Sequence, residues 1–283
     1  MSLSPPIQDL GGVGPSLLLA PANGFPPETY LPAFAALLDR YRLRALPPRA
    51  LWPGTAAPPH EPGDWESLAE DILRALDHHQ VEPALAIGHS FGAVALLLAA
   101  AREPDRFLGL ALLDVTLMTR TRMADLAALG QQELALRSPL ADGALNRRDR
   151  FDSLDEAYNF WRGKPLFADW SDQALRCYTA AVLAPDGEGY SLRWSGAWEA
   201  WYYRSYHTTT WNAIDRLPGT FPMLVVRGGT SDTFSAEAAE EFLRAAPSAR
   251  LVTLPHHGHL FPQAAPALTL ETVEPWLARA AKS

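Results

Sequence analysis

The chain holds a single cysteine, Cys177, so no internal disulfide can form and no cysteine-based metal spacing exists; it tolerates a reducing compartment, and a cytoplasmic location is the default expectation. Long apolar runs are also missing. The N-terminal stretch lacks a positive cluster followed by an apolar segment, and the longest early run, Leu17 to Ala20, is far too short to span a bilayer, so neither export nor membrane insertion is expected. Positive charge is scarce as well: the net charge is −8, which argues against a nucleic-acid partner. The basic cluster Arg147, Arg148 and Arg150 is local and reads as a solvated surface. What remains is a chain of 283 residues, 48% hydrophobic, long enough to bury a substantial core.

Short apolar runs alternate with longer segments of helical period, which predicts an α/β fold: a mostly parallel sheet with helices on its faces. The strands are expected at Ser16 to Pro21, Arg42 to Leu46, Ala84 to Gly88, Leu108 to Asp114, Pro222 to Arg227 and Ala249 to Leu254. Helices are expected at Glu28 to Asp39, Trp65 to His78, Phe91 to Arg102, Ala236 to Ala245 and Leu268 to Ala280. The alternation lapses between Asp114 and Pro222. The domain reading is therefore a core in two parts, residues 1–115 and 217–283, interrupted by a helical cap or lid at 116–216. That insert concentrates aromatics: Trp161, Trp170, Trp194, Trp198, Trp201 and Trp211, with Tyr158, Tyr178, Tyr190, Tyr202, Tyr203 and Tyr206. Trp194, Trp198 and Trp201 are spaced for one helical face. Most of these rings are expected to build the cap's own core, with the remainder facing a substrate.

The segment Ala84 to Gly92 is an apolar strand running into Gly88-His-Ser-Phe-Gly92 and then a helix rich in alanine and leucine. A serine on a tight strand-to-helix turn has a strained backbone; small residues at 88 and 92 let the turn pack while Ser90 projects above the sheet, and the helix N-terminus favours negative charge nearby. Gly-x-Ser-x-Gly alone is common in ordinary turns. The strand before it and the helix behind it make Ser90 the candidate nucleophile.

A serine hydroxyl needs a base. The loop Pro255-His-His-Gly-His-Leu-Phe261 follows the last expected strand, and His259 is the candidate, with His257 in reserve and His256 behind it. A solvated histidine-rich loop or metal site is the plainer alternative, but it lacks a supporting cysteine or carboxylate pattern. For the carboxylate that orients the histidine, Phe221 to Asp232 supplies a strand, a glycine turn and Asp232, giving the order Ser, Asp, His. Asp114, at the end of the strand after the nucleophile helix, is the competing carboxylate and otherwise a strand-end residue. The loop Leu19 to Pro26 precedes Ser90 and could aim a backbone N–H into the site; Asn23 is the candidate there and Phe91 supplies the second donor, unless the loop is a simple connection.

Together, Asn23-Gly-Phe-Pro26, Gly88-His-Ser-Phe-Gly92, Arg227-Gly-Gly-Thr-Ser-Asp232 and Gly258-His259 resemble the α/β-hydrolase superfamily, particularly bacterial esterase or lipase-like serine hydrolases with a helical cap. The resemblance runs from about Leu10 to the C-terminus. Two departures stand out. Pro21 replaces the histidine of a His-Gly-x loop, and the N-terminal stretch leaves room for at most one strand, around Ile7 to Leu10, before the strand ending at Pro21. The resemblance implies cleavage of a carboxylic ester of a small or medium apolar substrate through an acyl-Ser90 intermediate, with no metal or organic cofactor. Phe25, His89, Trp161 and Trp198 are the candidate substrate contacts. Relatives of this outline also open enol-lactones or cleave carbon–carbon bonds in carboxylate-bearing substrates; a cationic cap residue in the pocket, with Arg162, Arg193 and Arg204 as candidates, would favour that reading and an entirely apolar pocket would count against it, and these arginines are otherwise surface residues. A binding protein that kept the fold and lost catalysis is the reading from another class.

Overall fold

The computed structural model describes residues 4–55, 57–61, 63–129, 133, 138–205 and 207–282; Tyr206 lies outside them. The chain opens with β1 (Gln8–Asp9), β2 (Ser16–Ala20), the short helix α1 (Leu31–Phe34), β3 (Arg42–Ala45), α2 (Glu66–His78), β4 (Ala84–His89), α3 (Phe91–Arg102) and β5 (Phe107–Leu113). It closes with β9 (Met223–Gly228), a helix at Ala236–Ala245, β10 (Arg250–Leu254) and a helix at Pro266–Ala280. These strands form a seven-stranded sheet of order β1-β3-β2-β4-β5-β9-β10, parallel except for the β1–β3 pair. The single leading strand matches the expectation for Ile7 to Leu10. The expected helix at Glu28 to Asp39 is instead a broken run of 3-10 and α turns, Pro27–Tyr30, Leu31–Phe34 and Ala35–Leu37. Proline at 32 removes an amide donor that a continuous helix would need.

Strand residues alternate faithfully between the two faces. Leu18, Ala86, Leu110, Leu112, Met223 and Val225 pack under α2, α3 and the helix Ala236–Ala245. Leu17, Leu19, Leu85, Ile87, Leu113, Leu224 and Val226 pack against α1 and the helix Pro266–Ala280. Both faces are covered, which is why these strands read as unbroken apolar runs. The chain adds β3 on one side of β2 and β4 on the other, so the direction of strand addition reverses between β2 and β4. Loops leaving the carboxyl ends of two such strands splay apart and leave a crevice.

Between β5 and β9 come α4 (Arg120–Leu129), α5 (Pro139–Leu145), β6 (Arg150–Phe151), α6 (Leu154–Arg162), α7 (Asp172–Val182), β7 (Leu183–Asp186), β8 (Gly189–Leu192), α8 (Gly196–Arg204) and α9 (Thr210–Arg216). Serine starts four of these helices: Ser138, Ser153, Ser171 and Ser195 each accept a backbone N–H from the first turn. The segment is not purely helical, since β6, β8 and β7 form an antiparallel sheet of their own. Its aromatics divide in two. Trp161, Phe167, Trp170 and Tyr178 form a separate core with Phe151, whereas Trp194, Trp198, Tyr202 and Trp211 join the main core, where Trp194 and Tyr202 meet Phe91. Trp194 precedes α8 rather than sharing its face with Trp198 and Trp201, because Ser195 begins the helix.

Candidate active site

β4 delivers the chain to a sharp turn. Ser90 has φ 57° and ψ −122°, a left-handed backbone rare for a side-chain-bearing residue. The flanking glycines make the turn possible: a Cβ at Gly92 would lie 2.4 Å from the Ala20 carbonyl oxygen, and one at Gly88 would lie 2.6 Å from the Ala93 Cα. α3 begins at Phe91, so Ser90 stands at the helix N-terminus, beside the crevice between β2 and β4.

Ser90 Oγ lies 2.9 Å from His259 Nε2, and His259 Nδ1 lies 2.7 Å from Asp114 Oδ2. The carboxylate that meets His259 is therefore Asp114 and not Asp232. Asp114 follows β5 directly, in a left-handed conformation of φ 40°, with its N–H bonded to the Val226 carbonyl 2.7 Å away. It is fully buried, and its carboxylate also accepts from the Gly228 N–H at 2.7 Å and from the Ser231 hydroxyl. Asp232 is exposed, and its carboxylate accepts from the Thr233 hydroxyl at 3.4 Å. The turn after β9 thus points Ser231 inward and its neighbour Asp232 toward solvent. A carboxylate accepting from Nδ1–H leaves Nε2 as acceptor, so Ser90 donates to His259. Thr116 Oγ1, 3.0 Å from Ser90 Oγ, must then be the donor in that contact. No sequence signal pointed to Thr116 beyond its closeness to Asp114.

His89 is fully buried beneath this arrangement rather than facing a substrate. Its Nε2 is 3.0 Å from the His259 carbonyl oxygen, which can only accept, so Nε2 carries the proton and Nδ1 accepts from the Tyr30 hydroxyl at 2.7 Å. Tyr30 in turn accepts from the Ala22 N–H at 2.9 Å. Burial, with the neighbouring His259 adding to it, pushes the His89 pKa well below the usual histidine range and keeps the ring neutral.

Above Ser90 lies a cavity of about 550 Å³, walled by the β2 loop, by Phe91, Thr116 and His259, and by the segment between β5 and β9. Asn23 and Phe91 both reach this wall, as does Phe25. Trp161 and Trp198 do not border it: Trp161 packs against Phe151 and Tyr178, and Trp198 against Trp201 and Tyr202. Arg162, Arg193 and Arg204 are held elsewhere, by Asp172, Glu28 and Asp142 respectively. Among the described residues, the arginine that reaches the cavity is Arg147, which the sequence alone places in a solvated cluster. It is paired at 2.5 Å with Glu199, a carboxyl that burial pushes above its usual range against the pull of Arg147. Among the described residues no helix is long and apolar enough to cross a membrane, and no three His, Cys, Asp or Glu side chains are grouped to hold a metal ion.

The chain belongs to the alpha/beta hydrolase family, whose sequence profile matches residues 17–272. It is similar in structure to E-2-(acetamidomethylene)succinate hydrolase, with a TM-score of 0.77 at 22% identity over 96% of this chain and 94% of that one. It is also similar to an alpha/beta hydrolase from Novosphingobium aromaticivorans, with a TM-score of 0.71 at 20% identity over 96% and 93% of the two chains. At these identities the likeness speaks for the fold. Among curated proteins it is 27% identical, over 217 residues and 73% of its length, to the dihydrolipoyllysine-residue acetyltransferase component of the acetoin cleaving system of Pseudomonas putida. The match covers 49% of that protein, so the chain spans about half the length of this relative.

Proposed function

We propose that this chain is a serine hydrolase that cleaves carboxylic esters of small to medium, predominantly apolar substrates. The observation that carries the reading is the hydrogen-bonded series Ser90, His259, Asp114, of which Ser90 and His259 line the cavity and Asp114 is buried behind them. His259 Nε2 takes the hydroxyl proton as Ser90 Oγ bonds to the ester carbonyl carbon, and Asp114 stabilises the imidazolium that results. The backbone N–H groups of Asn23 and Phe91 serve the tetrahedral oxyanion, close to the positive end of α3. Collapse breaks the carbon–oxygen bond to the alcohol, which leaves with the proton from His259. Water then attacks the acyl-serine, again through His259, releasing the carboxylic acid and restoring the hydroxyl.

The cavity's size fits a small or medium substrate, and its wall carries Phe25, Met118, Met123, Leu140, Leu166 and Leu260. Cleavage of carbon–carbon bonds in carboxylate-bearing substrates would need a cation in the pocket; Arg147 does reach the wall but is paired with Glu199, and Arg162, Arg193 and Arg204 are bound to other partners, so this is the weaker reading. The test is reaction with a tagged fluorophosphonate, read by mass spectrometry, followed by turnover of p-nitrophenyl esters of increasing chain length. Labelling at Ser90 and ester turnover, both abolished in Ser90→Ala, are expected. Appreciable turnover by a clean Ser90→Ala protein would overturn the proposal.

A further inference from the structure

Among the described residues, the cavity wall carries one guanidinium, and both its terminal nitrogens already meet groups of the protein, while its buried Nε has no hydrogen-bond partner. Among the described residues Arg147 is the only arginine or lysine on the wall. Its Nη1 lies 2.5 Å from Glu199 Oε2, and its Nη2 donates to the Trp194 carbonyl at 2.8 Å. Recognition of a substrate carboxylate by arginine works best when two N–H groups are presented side by side. Here both terminal nitrogens are engaged by the protein.

Glu199 is fixed with equal care. α8 carries it against the β2 loop, where Asn23 Nδ2 donates to the Glu199 carbonyl at 3.0 Å. Its carboxylate rests on Gly24, whose φ is 79°; a Cβ there would lie 3.0 Å from Oε1. The pair therefore stands beside the loop assigned to the oxyanion, near where a substrate carbonyl would sit. Asp232, which also borders the cavity, adds a second carboxylate to the wall. Among the described residues, the arginine, glutamate and aspartate side chains on the wall are thus Arg147, Glu199 and Asp232.

We propose that the Glu199–Arg147 pair makes the cavity selective against anionic substrates, so that the enzyme takes esters whose acyl and alcohol groups carry no carboxylate. The inference rests on the ester-hydrolase reading and specifies its substrate class. Glu199 is the residue that sets the selectivity: it occupies the cation that would otherwise attract a carboxylate and repels one that approaches.

The experiment compares kcat/KM of the full chain on two isosteric pairs of esters. On the acyl side these are p-nitrophenyl pentanoate and p-nitrophenyl hydrogen glutarate; on the alcohol side, butyl acetate and γ-acetoxybutyrate, followed by acid release. The neutral member of each pair is expected to be favoured roughly tenfold or more, the size of a like-charge contact of a few ångströms in a partly dry site. Glu199→Gln frees Arg147 and is expected to narrow both ratios by about tenfold, chiefly by improving the anionic ester. If that variant does not fold, the double variant Arg147→Met with Glu199→Met removes both charges at similar volume, and the ratios should move toward unity. Equal or better use of the anionic esters by the wild type, or unchanged ratios in a folded variant that still labels at Ser90, would overturn the proposal. Absence of both Ser90 labelling and turnover of all the esters would overturn the hydrolase reading itself, which separates the two failures.

Discussion

His89 and His259 meet through the backbone: the Nε2–H of one donates to the main-chain carbonyl of the other across 3.0 Å. This single bond, continued through Tyr30 to the Ala22 N–H, ties the histidine loop to the loop after β2. His89→Leu should therefore lower kcat more than it changes KM, because it slackens both loops without touching the cavity wall. Steady-state kinetics with a neutral ester check this. The variant should also lose about 1–3 kcal/mol of stability, since it strands a buried hydroxyl and a carbonyl, and His89→Gln, which can both accept and donate, should recover part of each effect.

The same burial has a consequence for acid stability. His89 has a folded-state pKa well below the ordinary value near 6.5, so below that value the unfolded chain binds a proton that the folded chain refuses. Its contribution is fully present above about pH 6.5 and falls as the pH drops toward the folded pKa, by up to about 1.4 kcal/mol per unit. Denaturant melts at a series of pH values between neutrality and mild acid should show this slope in the wild type and a shallower one in His89→Gln.

Asp114→Asn and Asp232→Asn should behave very differently. The first removes the charge that steadies an imidazolium and allows the wrong histidine tautomer, so kcat should fall by about 10³- to 10⁴-fold. The second alters an exposed side chain at the cavity's edge and should change kcat for a neutral ester by less than about threefold. Comparable losses in the two variants would contradict the assignment of Asp114.

Thr116→Val keeps the shape of the side chain and deletes the hydroxyl that donates to Ser90 at 3.0 Å. Ser90 is then held by His259 alone, and kcat/KM is expected to drop by about three- to tenfold, one modest hydrogen bond's worth. The rate of fluorophosphonate labelling should fall in parallel, because it reports the same attacking oxygen.

Much of this site was readable from residues, and what was not has identifiable physical causes. The Gly88 and Gly92 spacing around Ser90 is dictated locally, by a turn whose neighbours are a few residues away. Asp114 and Asp232 both follow strands, and choosing between them depends on which way one turn points Ser231 and its neighbour, a matter of contacts between β5, β9 and the histidine loop. The short strands β6 to β8 escaped because runs of two to four residues carry no readable period. Trp161 and Trp198 belong to cores instead of the cavity wall, a distinction the sequence does not carry because an aromatic ring suits a core and a cavity equally well. Arg147 reads as solvated in the sequence because its partner, Glu199, is distant in the chain and arrives on α8, while Arg147 itself sits in the loop after α5.

β5 and β9 are hydrogen-bonded neighbours, with Leu110 opposite Met223 and the Asp114 N–H bonded to Val226. The chain therefore leaves the sheet after β5 and returns to it one strand spacing away, roughly 5 Å. Whatever is threaded between those two points begins and ends at a fixed gate, so exchanging it costs a slowly growing loop entropy together with the main-core packing of Trp194, Trp198, Tyr202 and Trp211, which a replacement would have to supply. Arg147 and Glu199 both belong to that excursion, whereas Ser90, Asp114 and His259 do not. Charge selectivity could thus be recast by grafting a different excursion onto the same sheet, leaving the reacting groups where they stand.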